Sequence, residues 1–137
     1  MQDPFYASGI LYNQKTHQIL LLKSEALDDK PSNWSTLGGH SRAGEDAQTA
    51  FARIIQEALN LNLKQKNIYP VYDYFHSILN KINYVFYAEV GKPKFSANLK
   101  KDTPSWVSFK ETLKLAFSAQ TKQDVVVSER VINSKLF

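Results

Sequence analysis

The sequence predicts an α/β domain on three observations. Apolar runs with strand composition stand on both sides of the chain's centre, one amphipathic helix lies between them, and 137 residues suffice to bury a continuous core without staples. Residues 5–12 and 18–23 form the first two strands, separated by Asn13-Gln14-Lys15-Thr16-His17, a polar stretch of hairpin length. Residues 24–33, with Asp28, Asp29, Lys30 and Pro31, read as an exposed loop. Residues 34–37 make a short strand that ends at Gly38-Gly39, and a loop is expected over 38–44. From Asp46 to Asn60 the spacing turns helical: Ala47, Ala50, Phe51, Ile54, Ile55, Ala58 and Leu59 recur at three and four and line one broad face. Residues 69–79 and 82–90 carry Tyr, Phe, Val and Ile at strand density and meet across Asn80-Lys81 as a second hairpin. A basic, proline-bearing loop over 92–104 leads to a strand at 106–109, a brief helical stretch and a final helix over about 121–136. With no repeat and no linker in view, residues 1–137 are expected to form one domain.

Composition narrows the function classes. Lys plus Arg number 17 against 13 for Asp plus Glu, a net +4 spread too evenly to mark a nucleic-acid or membrane surface. The absence of cysteine excludes a disulfide scaffold, a thiolate-bound zinc and thiol catalysis. No apolar run approaches the roughly 18 residues of a membrane span, and the first residues lack a basic segment followed by an apolar one. The expectation is a soluble cytoplasmic domain.

The segment around the central helix is the most informative. Gly38-Gly39 followed by residues 40–45 sets flexible backbone and the Glu45 carboxylate immediately before a helix N-terminus, a place suited to phosphate oxygens or a metal-phosphate ligand. Arg53 and Glu57 stand four apart, within reach of each other. The string Gly39, Glu45, Arg53, Ile55, Glu57 and Leu61 resembles the Nudix box of the MutT-like hydrolases: Gly, five residues, Glu, seven residues, Arg-Glu, an aliphatic, any residue, Glu-Glu, any residue, Gly, an aliphatic. Six of the nine defined positions are met. Trp34 before the glycines, and Trp106-Val107-Ser108-Phe109 with Glu111 and Leu113, are similar to the family's flanking segments. The resemblance spans nearly the whole chain and implies an α/β/α sandwich around a mixed β-sheet.

It also implies a site, and the departures from it matter. Nudix hydrolases present three helix glutamates that bind magnesium or manganese and help activate water; here those positions hold Ile54, Glu57 and Ala58. The surviving catalytic set is Glu57, oriented by Arg53, with Glu45 in support, and Gly38, Gly39 and His40 form the phosphate loop. Glu57, Glu45 and Asp102 are the carboxylates left for Mg2+ or Mn2+, which a charge-poor oxygen site holds weakly or only with substrate. Asn60 replaces the family glycine near the helix end and tolerates a left-handed cap. Arg42 stands where many members carry a further glutamate, and Leu37 where a proline is common. Each residue also has an ordinary reading: Glu45 as a carboxylate on the helix dipole, Asp46 as a cap, Asp102 as a solvated loop acid, His40 as an exposed histidine. In Tyr72-Asp73-Tyr74-Phe75-His76 alternation turns one set inward, for nucleobase stacking or for sheet packing. Two functions follow from the resemblance. One is a hydrolase of a nucleoside diphosphate linked to another moiety, weakened by the two lost glutamates. The other is an inactive Nudix-fold module that binds a nucleotide or a partner. A fused DNA-binding regulator has no segment to build it.

Overall fold

The computed structural model describes residues 3–26, 32–91 and 95–135. Seven strands form one mixed sheet: β1 Tyr6–Asn13, β2 Gln18–Lys23, β3 Trp34–Ser35, β4 Leu37–His40, β5 Ile68–His76, β6 Lys81–Val90 and β7 Thr103–Ser108. Among the described residues three α-helices accompany it, α1 Ala47–Leu59, α2 Phe109–Thr112 and α3 Ala119–Ser134, with a 3-10 turn at Gln65–Asn67. The centre is β1, which runs parallel to β6 from Tyr6↔Asn83 to Asn13↔Val90. Its other edge is divided, with β4 antiparallel along Tyr6 to Gly9 and β2 antiparallel along Leu11 to Asn13. Beyond these, β5 pairs with β6 and β7 with β2.

Alternation along β1 and β2 sends side chains to both faces, and both faces are covered, so the middle of each strand is buried and, apart from Ser8 and Gly9, apolar. Leu11, Leu20 and Leu22 meet Phe51, Ile55 and Leu59 of α1 on one face. Ile10, Tyr12, Ile19 and Leu21 join Tyr87, Val107 and, from α3, Val125 and Ile132 on the other. The result is the expected α/β/α sandwich. No helix among the described residues is long and apolar enough to cross a membrane.

The first hairpin and the central helix hold within a residue or two of expectation, whereas the second hairpin turns earlier, with β5 ending at His76 in place of 79 and Lys81 already in β6, and the strand expected over 34–37 is split into β3 and β4; the helix ends show how α1 is bounded. The Asp46 carboxylate accepts the Thr49 N–H at 2.8 Å and starts α1; Asn60, at φ 52° and ψ 36°, ends it in the left-handed conformation. The expectation that fails is the glycine loop. Gly38 and Gly39 lie inside β4, paired with Ser8 and Ala7, and the loop begins only at Ser41. They are glycines because of what stands over them. A Cβ on Gly38 would lie 2.8 Å from the Tyr6 ring, and one on Gly39 would lie 3.1 Å from Ile54 Cγ1. The final strand starts three residues earlier than expected, at Thr103, and the last helix two earlier, at Ala119, where the Ser118 hydroxyl accepts the Thr121 N–H. Within the expected loops 24–33 and 92–104, residues 27–31 and 92–94 lie outside the described residues.

Candidate functional site

The loop between β4 and α1 is shaped by its own turn. Glu45 N–H donates to the Arg42 carbonyl at 3.2 Å, and Gly44 takes φ +83°, where glycine meets no steric penalty. Ser41 ties the loop to the start of β1: its N–H donates to the Phe5 carbonyl and its hydroxyl accepts the Phe5 N–H. The turn aims the Glu45 carboxylate back at α1. Arg53 meets it with two donors, Nε to Oε2 at 2.6 Å and Nη2 to Oε1 at 3.0 Å, while the Arg42 N–H adds a third at 2.7 Å. Arg53 Nη2 also donates to the His40 carbonyl at 2.8 Å and so joins strand, loop and helix. The pair is well covered, with side chains 18% and 13% exposed, and the guanidinium holds the Glu45 carboxyl below the usual carboxylate range.

Glu57 lies one turn further along α1 and is 45% exposed. Both its oxygens are taken by guanidinium groups: Arg42 Nη2 stands 2.9 Å from Oε1, and Arg53 Nη1 donates to Oε2 at 3.4 Å. The two neighbouring positions are apolar. Ile54 is buried against Gly39 and belongs to the core on the α1 face, and Ala58 packs at the edge of the same core.

A strap from the segment after β6 closes the end of the helix. Ser96 and Asn98 N–H donate to the Leu59 and Ala58 carbonyls at 2.9 and 2.7 Å, and the Asn60 side chain returns a bond to the Ser96 carbonyl. Asn98 Nδ2 reaches the Glu57 carbonyl at 3.5 Å. The strap residue nearest Glu57 is therefore an amide, a role nothing in the sequence marks. Asp102 sits further along, just before β7, and among the described residues it does not gather with Glu45 and Glu57 into a metal-holding group. Among those residues no three His, Asp or Glu side chains converge to hold a metal ion. A divalent cation needs several oxygens, and here one half-exposed carboxylate is already neutralised twice, so the residues present do not fit the metal that the resemblance implies.

Two further groups border the site. The His40 ring lies edge-on to Tyr6 at 5.1 Å, and its Nδ1 accepts from Lys81 Nζ at 3.0 Å. On the α3 face, Tyr72, Tyr74 and His76 follow one another along β5, Tyr72 tilted against Tyr74 at 5.2 Å and Tyr74 stacked on His76 at 6.1 Å, so the even set of the alternation turns inward. It meets Asp124 of α3, which is buried and accepts from Tyr72 at 2.6 Å, Tyr74 at 3.1 Å and Gln120 at 3.2 Å. Asn83 and Ser8 extend the chain of bonds into the sheet. Burial pushes the Asp124 carboxyl up from its ordinary value, pushes Tyr72 further up and takes Tyr74 to about 12, so both hydroxyls stay protonated donors. The network is satisfied from within and is read as packing. Nothing local in the sequence marks Asp124, which stands 50 or more positions from its tyrosine partners.

Solved structures share this architecture. The solution structure of the E. coli ORF135 protein superposes with a TM-score of 0.72 at 17% identity, over 98% of this chain and 94% of that one. A C. elegans Ap4A hydrolase in a binary complex gives 0.71 at 18%, over 94% and 98%. The NUDIX domain of Shewanella oneidensis NrtR, complexed with ADP ribose, gives 0.70 at 11%, over 94% and 86%. No curated protein matches the sequence. The family model of the NUDIX domain matches residues 4–127, and the chain belongs to that family.

Proposed function

We propose that this chain is a Nudix-family protein that binds a nucleoside diphosphate linked to another moiety and hydrolyses it far more slowly than an ordinary enzyme. The observation that carries this reading is the state of Glu57: both oxygens are paired with arginines, and the adjoining ligand positions hold Ile54 and Ala58. The ligand class is supported by similar structures, one described as an Ap4A hydrolase and one as complexed with ADP ribose. What this chain's own residues do is hold the loop. Glu45 and Arg53 fix the turn before α1, Arg53 holds the His40 carbonyl, and the turn sets the Arg42 side chain against Glu57.

A second reading, retained hydrolysis on Glu57, rests on the loop-to-helix scaffold itself, since Glu45, Arg53 and Glu57 are joined as a working site would need. Calorimetric titration with ADP-ribose and diadenosine tetraphosphate, alongside nucleoside monophosphate release, separates the two. The expected result is saturable binding with turnover well below about 1 per second, the lower end of ordinary enzyme rates. Turnover at or above that rate, abolished by Glu57→Gln, would establish the second reading. Absence of binding to either compound would remove the ligand class.

A further inference from the structure

Glu57 carries its own cation. Arg42 Nη2 stands 2.9 Å from Glu57 Oε1, whereas Arg53 lies 3.4 Å from the other oxygen and spends its remaining donors on Glu45 and the His40 carbonyl at 2.6 to 3.0 Å. Arg53 is fixed by the loop whatever Glu57 does, so Arg42 is the partner that Glu57 itself engages. The two halves of Arg42 are held differently. Its backbone is clamped, since the N–H donates to Glu45 Oε1 at 2.7 Å and the carbonyl accepts the Glu45 N–H at 3.2 Å. Its side chain is 63% exposed and is paired with a carboxylate that is 45% exposed, a class of pair that adds little to stability and opens readily. Asp3 and Asp46 line the same cleft as Arg42, so a guanidinium that leaves Glu57 stays among carboxylates.

We propose that Arg42 is an autoinhibitory latch: a side chain on a fixed hinge whose guanidinium occupies Glu57 and keeps divalent cations off it. The mismatch between this box and a metal then has a removable part in Arg42 beside the permanent one at Ile54 and Ala58. A dication approaching Glu57 has to break the pair and also meets the repulsion of the displaced charge, and the two effects have the same sign. Removing the guanidinium uncovers the Glu57 carboxylate without opening the core, because both side chains lie at the surface. The inference concerns the cation alone. It is read without nucleotide, so it stands or falls separately from the ligand class proposed above.

The probe is Mn2+ alone, titrated into the full chain and followed by the electron paramagnetic resonance of the free ion. Wild type is expected to show no saturable binding below about 10 mM, the weak end for a charge-poor oxygen site. Arg42→Ala should bind about tenfold more tightly, the scale set by a unit charge a few ångströms from a dication in water, and Arg42→Lys, which keeps the charge, should stay close to wild type. Glu57→Gln added to Arg42→Ala should return binding to the wild-type level. Lys122→Ala, which removes the same charge from an exposed position of α3, should leave it unchanged. A thermal melt of each variant verifies folding, and Arg42→Gln takes the place of Arg42→Ala if the latter melts early. A wild-type site at or below about 1 mM, no saturable binding in the Ala or Gln variant below about 10 mM, a Lys variant as tight as the Ala variant, a gain that survives Glu57→Gln, or an equal gain in Lys122→Ala would each overturn the inference.

Discussion

Replacing Glu45 by Gln tests whether the loop before α1 is held by charge. The substitution keeps one acceptor oxygen and the side-chain shape, but discards the charge that meets Arg53 at 2.6 and 3.0 Å and the Arg42 N–H at 2.7 Å. Breaking a fully buried pair from one side costs about 3–5 kcal/mol, and an exposed pair about 0–1. With side chains 18% and 13% exposed, this pair lies between those limits, and the cost discounted for solvent is about 2 kcal/mol. An unfolding entropy of about 2.1 cal/mol/K per residue makes each kcal/mol worth roughly 3.5 °C for a chain of 137 residues. Differential scanning calorimetry at pH 7 should therefore show a melting point lower by about 7 °C. The sign of the pH dependence follows from the lowered carboxyl pKa of Glu45 in the folded protein. Its stabilisation is present above the ordinary carboxylate pKa and is lost as pH falls through the folded value, so the gap between wild type and variant closes in acid. A shift under about 1 °C at neutral pH, or a gap that persists unchanged at pH 3, would show that the contacts are ornamental and the reasoning wrong.

Ile54→Glu with Ala58→Glu restores the carboxylates but forces one into the place where Ile54 packs on Gly39, so in chelator the variant should lose about 3 kcal/mol or more, regained in part on adding magnesium. Nucleotide hydrolysis that appears in this variant and vanishes with Glu57→Gln is the expected assay result; none at all would place the block elsewhere than in those two positions. Asp124→Asn addresses the buried network. Because the carboxyl pKa of Asp124 is raised in the folded protein, its contribution is full below the ordinary value and is lost as pH rises through the folded one. The variant should trail wild type by about 1 kcal/mol at pH 3, the worth of one hydrogen bond, and the deficit should shrink as pH rises in urea unfolding; a deficit that does not change with pH would contradict the raised pKa.

The sandwich was legible because both its periods are written locally. Two-sided burial makes the middles of β1 and β2 largely apolar, and Phe51, Ile55 and Leu59 repeat at the helical interval. The glycine pair misled because glycine reads as a breaker, while the reason for it here lies across the sheet, in the Tyr6 ring, and across the layer, in Ile54. The same limit hid the site's character. Spacing exposed the Arg53–Glu57 pair, but Arg42 reaches Glu57 by a loop turn, and Asn98 arrives on the strap from 41 positions away. Local pattern records what a helix or strand does with its own neighbours, and contacts made by folding the chain back leave no period to read.

The parallel pairing of β1 with β6 bears on how the protein is made. Ser8 and Asn83, bonded at 3.0 Å, are 75 positions apart, so during synthesis β1 waits until β6 has emerged, at residues 81–90, before its longer edge is satisfied. Until then β1 has only β2 and β4 as partners, and its β6 edge is open beside the apolar face of α1. Pairing over such separations closes large loops and slows folding. An open apolar edge held for that interval is the point at which a nascent copy is exposed to joining another copy in place of itself.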